Sequence, residues 1–165
     1  ATPSREVMAP TPDDAPLTRD RLFAHLAAFL TDEMVVIADP GDSLFAAADL
    51  PIRLCSEFMS PAAYGARGFA IPASIGVQLA EPELRPLVLV EAAAFPTTGA
   101  ELATAARLGL DPMVVVLHHA SDRAGEGAIS DSVALDQALA ATAANPGTPR
   151  VLNVVLAAAG HTKVD

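Results

Sequence analysis

The chain has 165 residues, 52% of them hydrophobic and 18% charged, which is enough for one globular domain with a full core. A net charge of -10 and an aromatic content of 4% argue against nucleic-acid binding, which needs basic surfaces and stacking platforms. The single Cys55 excludes an internal disulfide and a multi-cysteine zinc site, and we expect it to be a small buried hydrophobe. No apolar run approaches the ~18 residues of a membrane span, and the first residues lack an apolar signal core, so we expect a cytoplasmic protein.

The first part of the chain divides at Thr18. Residues 1–17 are rich in Pro, Thr and Asp, and they are predicted to be a flexible lead-in or linker. Thr18 is a suitable N-cap for a helix with an apolar stripe at Leu22, Leu26 and Leu30. Residues 18–165 are therefore predicted to form one domain.

Apolar runs then alternate with helical patterns along the rest of the chain. The predicted strands are 34–39, the more exposed 52–58, 86–91, 112–119 and 150–157. The predicted later helices are a short one starting within 41–50, then 69–80 with Pro72 in its first turn, 101–108 and 131–145. This alternation predicts an α/β fold with three layers, α/β/α, around a mainly parallel sheet.

Ligands of such sheets bind beyond the carboxyl ends of the strands. Three turns follow predicted strands and are the candidate ligand-binding turns: Asp39–Ser43, Glu91–Phe95 and His118–Asp122. We find no internal repeat.

Three stretches carry a resemblance to a known family: "VVIADPGDSLF", "YGARGFAIPASIGVQLAEPELRPLVLV" and "AAAFPTTGAELATAARLGLDPMVVVLHH". In order and spacing they resemble the C-terminal, diphosphate-binding domain of thiamine-diphosphate-dependent 2-oxoacid decarboxylases, the pyruvate and indolepyruvate decarboxylase group. The resemblance runs from about Thr18 to Ala157 and implies the thiamine-diphosphate-binding fold. The positions that it assigns to the cofactor site are Asp39, Gly41, Asp42, Ser43, Gly65, Arg67, Glu91, Ala92, Ala93, His118, His119 and Ser121.

Several of these positions depart from the family's pattern. The family's Gly-Asp-Gly falls on Glu91, Ala92 and Ala93, and its Asn-Asn falls on the two histidines 118 and 119. The resemblance implies that Mg²⁺ ligands would come from Ala92, His119 and the main-chain carbonyl of Ser121. Alanine supplies no ligand and imidazole prefers softer metals, so we expect no metal site, and the added Cβ atoms narrow the approach to a phosphate.

Charge points the same way. A Glu91 carboxylate ~5 Å from a diphosphate charge, at an effective dielectric of ~20, would cost roughly 3 kcal/mol, more than a hundredfold in affinity. Arg67 stands where the family has the hydrophobic residue that supports the cofactor's bent shape, and Asp39-Pro40-Gly41 replaces Glu-Thr-Gly. One hypothesis is that Arg67 and Glu91 form an ion pair that fills the site, with Asp42 nearby; the alternative is two solvated charges.

The adjacent histidines 118 and 119 are candidates for a metal-binding or acid-base role. Consecutive side chains of a strand point to opposite faces, so both rings cannot easily bind one ion, and polar residues at a strand end are the simpler interpretation. "HHASD" and "ISDS" suggest a Ser-His-Asp triad, but no segment resembles a nucleophile elbow. We therefore name no catalytic residue.

The sequence thus predicts a non-catalytic, pseudoenzyme-like domain with a structural, assembly or regulatory role and no cofactor. The family's domains bury apolar faces against each other, so we expect a homodimer, a higher oligomer or a complex with a pyrimidine-domain-like chain. One alternative is a subunit of a split decarboxylase that uses thiamine diphosphate and Mg²⁺. The other is a module that binds a small anion in the emptied pocket near Arg67.

Overall fold

Five parallel strands form one sheet in a computed structural model that describes residues 10, 13–50, 57–61 and 63–158. The strands are β1 (Met34–Ala38), β2 (Phe58–Met59), β3 (Arg85–Glu91), β4 (Met113–His119) and β5 (Arg150–Leu156). Their spatial order is β2-β1-β3-β4-β5, and every strand pair is parallel. The α/β prediction is confirmed, and so are the four longer predicted strands; β1, β3 and β4 are apolar runs buried on both faces, whereas the edge strand β5 is partly exposed.

Helices cover both faces of the sheet. They are α1 (Arg19–Phe29), α2 (Asp42–Ala47), α3 (Ala70–Ala80), α4 (Phe95–Thr98), α5 (Leu102–Arg107) and α6 (Ser132–Ala143). Thr18 caps α1 as predicted, because its side-chain oxygen accepts the Arg21 N–H at 3.4 Å. The helix predicted over 101–108 is α5, and the turn before it forms α4 and a 3₁₀ segment, Gly99–Glu101.

Alternating strand side chains divide the core into two halves. Val36, Leu87 and Val115 face one half together with side chains of α1, α2 and α6. Val35, Val88 and Val114 face the other half, against α3 and the segment that carries α4 and α5. The three-layer prediction is therefore confirmed, and each strand's last residues are assigned to a face by the same alternation.

Residues 13–17, which the sequence placed in the lead-in, make specific contacts with the domain. Leu17 is fully buried, its N–H donates to the Ser130 carbonyl at 2.9 Å, and its carbonyl accepts the Ala157 N–H at 2.9 Å. Pro16 forms an antiparallel bridge with Asp131. The packed part of the chain thus includes residues before Thr18, because Leu17 supplies core surface that the composition of the segment did not reveal.

Some predictions fall outside the described residues. The strand predicted at 52–58 lies mostly there, and only its end, Phe58, belongs to β2. Cys55 lies there too. Across the described residues, none of the helices has the length and hydropathy needed to cross a bilayer.

Candidate functional site

The strand order places a crevice between β1 and β3. The connection that follows β1 leads to β2 on one side and the connection that follows β3 leads to β4 on the other, so the turns after β1 and β3 separate at their carboxyl ends. Such a switch point is where open α/β sheets bind ligands. Two of the three predicted turns, Asp39–Ser43 and Glu91–Phe95, flank it.

Glu91 crosses this crevice. Its side chain lies on the α2 side of the sheet, and Oε1 accepts the backbone N–H of Ser43 at 3.1 Å. A Cβ atom on Gly41, whose φ is +134°, would lie 3.7 Å from Glu91 Cγ, so the side chain lies directly against the β1–α2 turn. The Glu91 side chain is 19% exposed, and it reaches from the end of β3 to the start of α2. The Glu91 carboxylate thus accepts the hydrogen bond of a backbone N–H, that of Ser43, at the switch point.

Asp39, the residue after β1, is also directed inward. It is fully buried, and its two carboxylate oxygens accept the N–H groups of Gly68 at 2.7 Å and Ala70 at 2.8 Å. Its own carbonyl accepts the Ser43 hydroxyl at 3.1 Å. Asp39 therefore ties the loop before α3 to the end of β1, and both carboxylate oxygens are engaged by the protein itself.

The two alanines after Glu91 have different surroundings. Ala92 is half-buried and packs against the apolar cluster on the α3 side, and its N–H donates to the Leu117 carbonyl at 2.8 Å. Ala93 is exposed. The methyl group of Ala92 thus extends the core at a position where the resemblance implies a metal-binding carboxylate.

The histidines at the end of β4 point to opposite faces, as predicted. The His118 ring nitrogen Nε2 lies 3.0 Å from Asn153 Oδ1 on the neighbouring strand. His119 is largely exposed on the other face, where its Nε2 lies 4.0 Å from Glu91 Oε2. Beyond it, the Asp122 carboxylate accepts the His119 N–H at 2.8 Å, and Ser121 is exposed. The rings therefore cannot serve one ion together.

The remaining predicted positions lie at the rim. Asp42 forms an exposed ion pair with Arg19 at 2.9 Å and does not face Glu91. Gly65 has φ +56° in the exposed loop before α3, with open space around its Cα. Arg67 is exposed, and within the described part of the chain it forms no ion pair, so the hypothesis of an Arg67–Glu91 pair is wrong. Ser43 N–H replaces Arg67 as the partner of Glu91.

The residues at these strand ends do not fit a magnesium ion. Position 92 presents a methyl group, position 119 presents an imidazole, and one oxygen of the Glu91 carboxylate, Oε1, accepts the Ser43 N–H. Throughout the described ranges, no group of three or more His, Cys, Asp or Glu side chains is arranged to hold a metal ion. Mg²⁺ requires near-octahedral oxygen coordination, which this corner does not offer.

Sequence reasoning missed the partners of these side chains. The Glu91–Ser43 contact joins residues 48 positions apart, and Asp39 reaches 29 and 31 positions along the chain. The local signals were Gly41 and Gly68, whose positive φ values mark the turns that carry the backbone donors. Asn153, the partner of His118, had no signal beyond being a polar residue within an apolar strand.

Comparison with known proteins identifies the fold and the family. Residues 39–121 match the family described as "Thiamine pyrophosphate enzyme, C-terminal TPP binding domain". An alpha-keto-acid decarboxylase of Mycobacterium ulcerans is 34% identical over 120 residues, which are 72% of this chain and 21% of the relative. An indole-3-pyruvate decarboxylase of Azospirillum brasilense is 39% identical over 90 residues, which are 54% of this chain and 16% of the relative.

The fold comparison agrees. A Mycobacterium smegmatis structure described as a thiamin diphosphate-dependent enzyme superposes with a TM-score of 0.74 at 18% identity, covering 92% of this chain and 34% of that one. At that identity the superposition supports the fold alone. The thiamine-diphosphate-binding fold expected from the sequence is confirmed.

The expectation that the chain takes no cofactor is corrected by the family. The matched family is described as a TPP-binding domain, and thiamine pyrophosphate is thiamine diphosphate, so that cofactor is what family membership predicts. The expectation relied on the departures at positions 91–93 and 119, which concern the metal ligands and two phosphate-facing glycines. They do not outweigh a match that extends over 83 consecutive residues, 39–121.

The matched family region covers half of the chain, and the chain spans about one fifth of the length of the curated relatives it matches. The sheet order, the crevice between β1 and β3 and the two turns that flank it agree with that assignment. This chain therefore belongs to the thiamine pyrophosphate enzyme family, as a C-terminal TPP-binding domain of the kind found in 2-oxoacid decarboxylases.

Proposed function

We propose that this domain has a structural or assembly role in a decarboxylase-related protein and does not itself carry out decarboxylation. The observation that carries the proposal is the Glu91 carboxylate across the β1–β3 crevice, 3.1 Å from the Ser43 N–H. In the reaction class of the relatives, this corner would need to stabilise a diphosphate and a divalent cation, and it presents a fixed negative charge and the Ala92 methyl group. Both features favour an internally closed site over a reactive one.

Exposed aromatic side chains near the same end of the sheet support an assembly role. Phe45 on α2 is 74% exposed, and Tyr64, in the loop that Asp39 ties to β1, is 91% exposed. Contiguous exposed apolar patches are typical of surfaces that contact another chain, and aromatic residues are enriched in such surfaces. We propose that they contact a second copy of this chain or a pyrimidine-domain-like partner.

The assembly proposal is tested by analytical ultracentrifugation of the full chain. We expect a dimer or larger species that the double variant Phe45→Asp/Tyr64→Asp converts to monomer. The control is Leu108→Asp, which adds a negative charge at an exposed residue just after α5, towards the opposite end of the sheet. A monomer at every concentration, both alone and mixed with a pyrimidine domain from a related decarboxylase, or equal dissociation in both variants, would contradict the assembly role.

The catalytic half of the proposal is tested by CO₂ release. The full chain is incubated with thiamine diphosphate, Mg²⁺ and pyruvate or indolepyruvate, alone and with a pyrimidine domain from a related decarboxylase. We expect CO₂ release at the uncatalysed rate in each case. Turnover in the mixture would overturn the proposal and favour the second candidate, a subunit of a split decarboxylase.

The second candidate is supported by the family itself, since the matched family is described as a TPP-binding domain and the relatives are named as decarboxylases. In that case the partner chain would have to supply the groups that Glu91 and Ala92 do not. Cofactor binding by this chain is compatible with both candidates, so CO₂ release is the measurement that separates them.

A further inference from the structure

A second concave site lies away from the strand ends, between α1 and α6. This cleft has a volume of about 330 Å³ and is lined by His25, Ala28 and Phe29 from α1 and by Asp136, Leu139 and Ala140 from α6, with Pro10 beside them. Ligand pockets begin at roughly 300 Å³, and an apolar cavity of about 150 Å³ already admits benzene. The cleft is therefore large enough for a small ring compound.

The cleft is lined by two polar side chains, His25 and Asp136, and of these His25 is the buried one. The residue is 3% exposed, and its Nδ1 lies 2.7 Å from Asp136 Oδ1, across the helix pair. Asp136 is a carboxylate and can only accept, so Nδ1 carries a proton, and in the neutral form of the ring Nε2 is then the acceptor. No described residue makes a hydrogen bond to Nε2. The dyad thus offers one oriented acceptor within otherwise apolar walls.

The charges around His25 favour a neutral ligand. Asp136 lies at the rim of the cleft with 38% of its side chain exposed, and Asp13 is held near the start of α6 by the Ser132 hydroxyl, which donates to its carbonyl at 2.9 Å. Two carboxylates near the cleft repel an anion. Arg21, the nearby cation on α1, is bound to Asp13 and lies 3.3 Å from the Ser132 hydroxyl, so its guanidinium is already engaged.

We propose that the α1–α6 cleft binds a small, uncharged ring compound with one hydroxyl group, whose O–H donates to His25 Nε2. The apolar walls hold the ring, and the His25–Asp136 contact fixes the acceptor. This site is independent of the β1–β3 crevice and of the function proposed for it.

Phenol is the probe, and the full chain labelled with ¹⁵N is titrated with it in NMR experiments at neutral pH. We expect saturable shifts in α1 and α6 and a changed Nε2 resonance of His25. Toluene, which lacks the hydroxyl, should bind about tenfold more weakly, the factor that one neutral hydrogen bond provides. Benzoate should also bind more weakly than phenol because of its charge.

Three variants test whether phenol binds at the residues that line the cleft. His25→Phe keeps a ring of similar size but removes the acceptor, so phenol and toluene should then bind within about twofold of each other. Ala140→Leu fills the cleft from an exposed position and should weaken both ligands. Ala141→Leu adds the same group at the next residue, also exposed but not part of the cleft, and should change neither.

The proposal is overturned if phenol and toluene bind the unmodified chain equally, if the shifts lie outside α1 and α6, or if Ala140→Leu has no effect. Should His25→Phe fail to fold, the His25 Nε2 resonance of the unmodified chain decides: an unchanged resonance at saturating phenol rejects the hydrogen bond.

Discussion

The two ends of the parallel sheet each hold a buried carboxylate, and comparing them shows how the ligand-binding end is built here. At the amino end, Asp111 accepts the Gln78 amide at 2.5 Å and the Arg85 guanidinium at 3.1 Å, and thereby joins α3, β3 and β4. At the carboxyl end, Asp39 accepts two backbone N–H groups, and Glu91 accepts a third. In α/β proteins the amino end is usually structural and the carboxyl end carries the ligand.

In this domain the carboxyl end resembles the amino end, because its acidic groups are bound by the protein itself. A carboxylate that a ligand or metal is to use must keep at least one oxygen available. Asp39 has both oxygens engaged, whereas Glu91 has only Oε1 engaged, by the Ser43 N–H, and its Oε2 lies 4.0 Å from His119 Nε2. If the comparison is valid, changes at either end should first affect folding, and only Glu91 should also affect an added anion.

The largest expected effect is that of Asp39→Ala. The substitution leaves the Gly68 and Ala70 N–H groups buried without an acceptor, and we expect a loss of about 4 kcal/mol in the free energy of unfolding. Urea denaturation measures it. Asp39→Asn is the control, because it keeps the shape and one acceptor oxygen, and it should lose about half as much. A loss below about 1 kcal/mol for Asp39→Ala would show that this carboxylate is not structural.

Asp111→Ala should have the next largest effect, about 3 kcal/mol in the same urea experiment. It removes the partner of Gln78 and of the largely buried Arg85, and breaking such a buried pair leaves an uncompensated charge. The exposed Asp49, for which no ion pair is found among the described residues, provides the control Asp49→Ala. If Asp111→Ala were far more costly than Asp39→Ala, the two ends would not be equivalent.

Changes at and around Glu91 should distinguish the two ends of the sheet, because only they should alter the affinity for an added anion. In the triple variant Glu91→Gly/Ala92→Asp/His119→Asn, the negative charge across the crevice is removed and oxygen ligands are introduced. We expect at least about a tenfold gain in the affinity for thiamine diphosphate that depends on Mg²⁺, measured by calorimetry with and without the ion. Ala93→Asp, which adds a carboxylate at the neighbouring exposed residue, is the control and should not give that gain. An unchanged affinity in the triple variant would mean that another feature limits binding.

The smallest expected effect concerns Asp13, whose pKa is lowered below its ordinary value of 3.8 mainly by the hydrogen bond from Arg21. A carboxyl group whose pKa is lower in the folded state stabilises the fold above its unfolded pKa, and loses that contribution as the pH falls through its folded pKa. Asp13→Asn should therefore reduce stability at neutral pH and make no difference at pH values well below 3.8. Asp14→Asn, at an exposed neighbour, is the matched control. A destabilisation of Asp13→Asn that is the same at all pH values would contradict this assignment.

Much of the fold could be predicted because it depends on local patterns. The runs at 86–91 and 112–119 are continuously apolar up to their polar last residues and are bounded by turn residues. This pattern predicts both that they form strands and that the strands are buried. The prediction of one helix at 101–108 missed α4. Phe95–Thr98 has no clear apolar period, yet it forms a short helix whose Thr97 and Thr98 side chains pack against Gly68.

The site was predictable in its positions but not in its contacts. Consecutive residues of a strand alternate between faces, so the separation of His118 from His119 followed from sequence. Whether Glu91 would face Arg67 or Ser43 depends on how two turns from different parts of the chain meet. His25 and Asp136 are 111 positions apart, and neither carries a motif, so only the packing of α1 on α6 reveals the pair.

The contact between Leu17 and Ala157 has a consequence for how the chain can be rearranged. The backbone enters the packed domain and leaves its last strand at neighbouring points, joined by one 2.9 Å hydrogen bond. A short linker could therefore connect these two points, and the polypeptide could be opened instead within the exposed turn around Gly125 and Gly127. A circularly permuted gene of this kind should encode the same sheet, since the order in which β4 and β5 are made does not alter which strands pair.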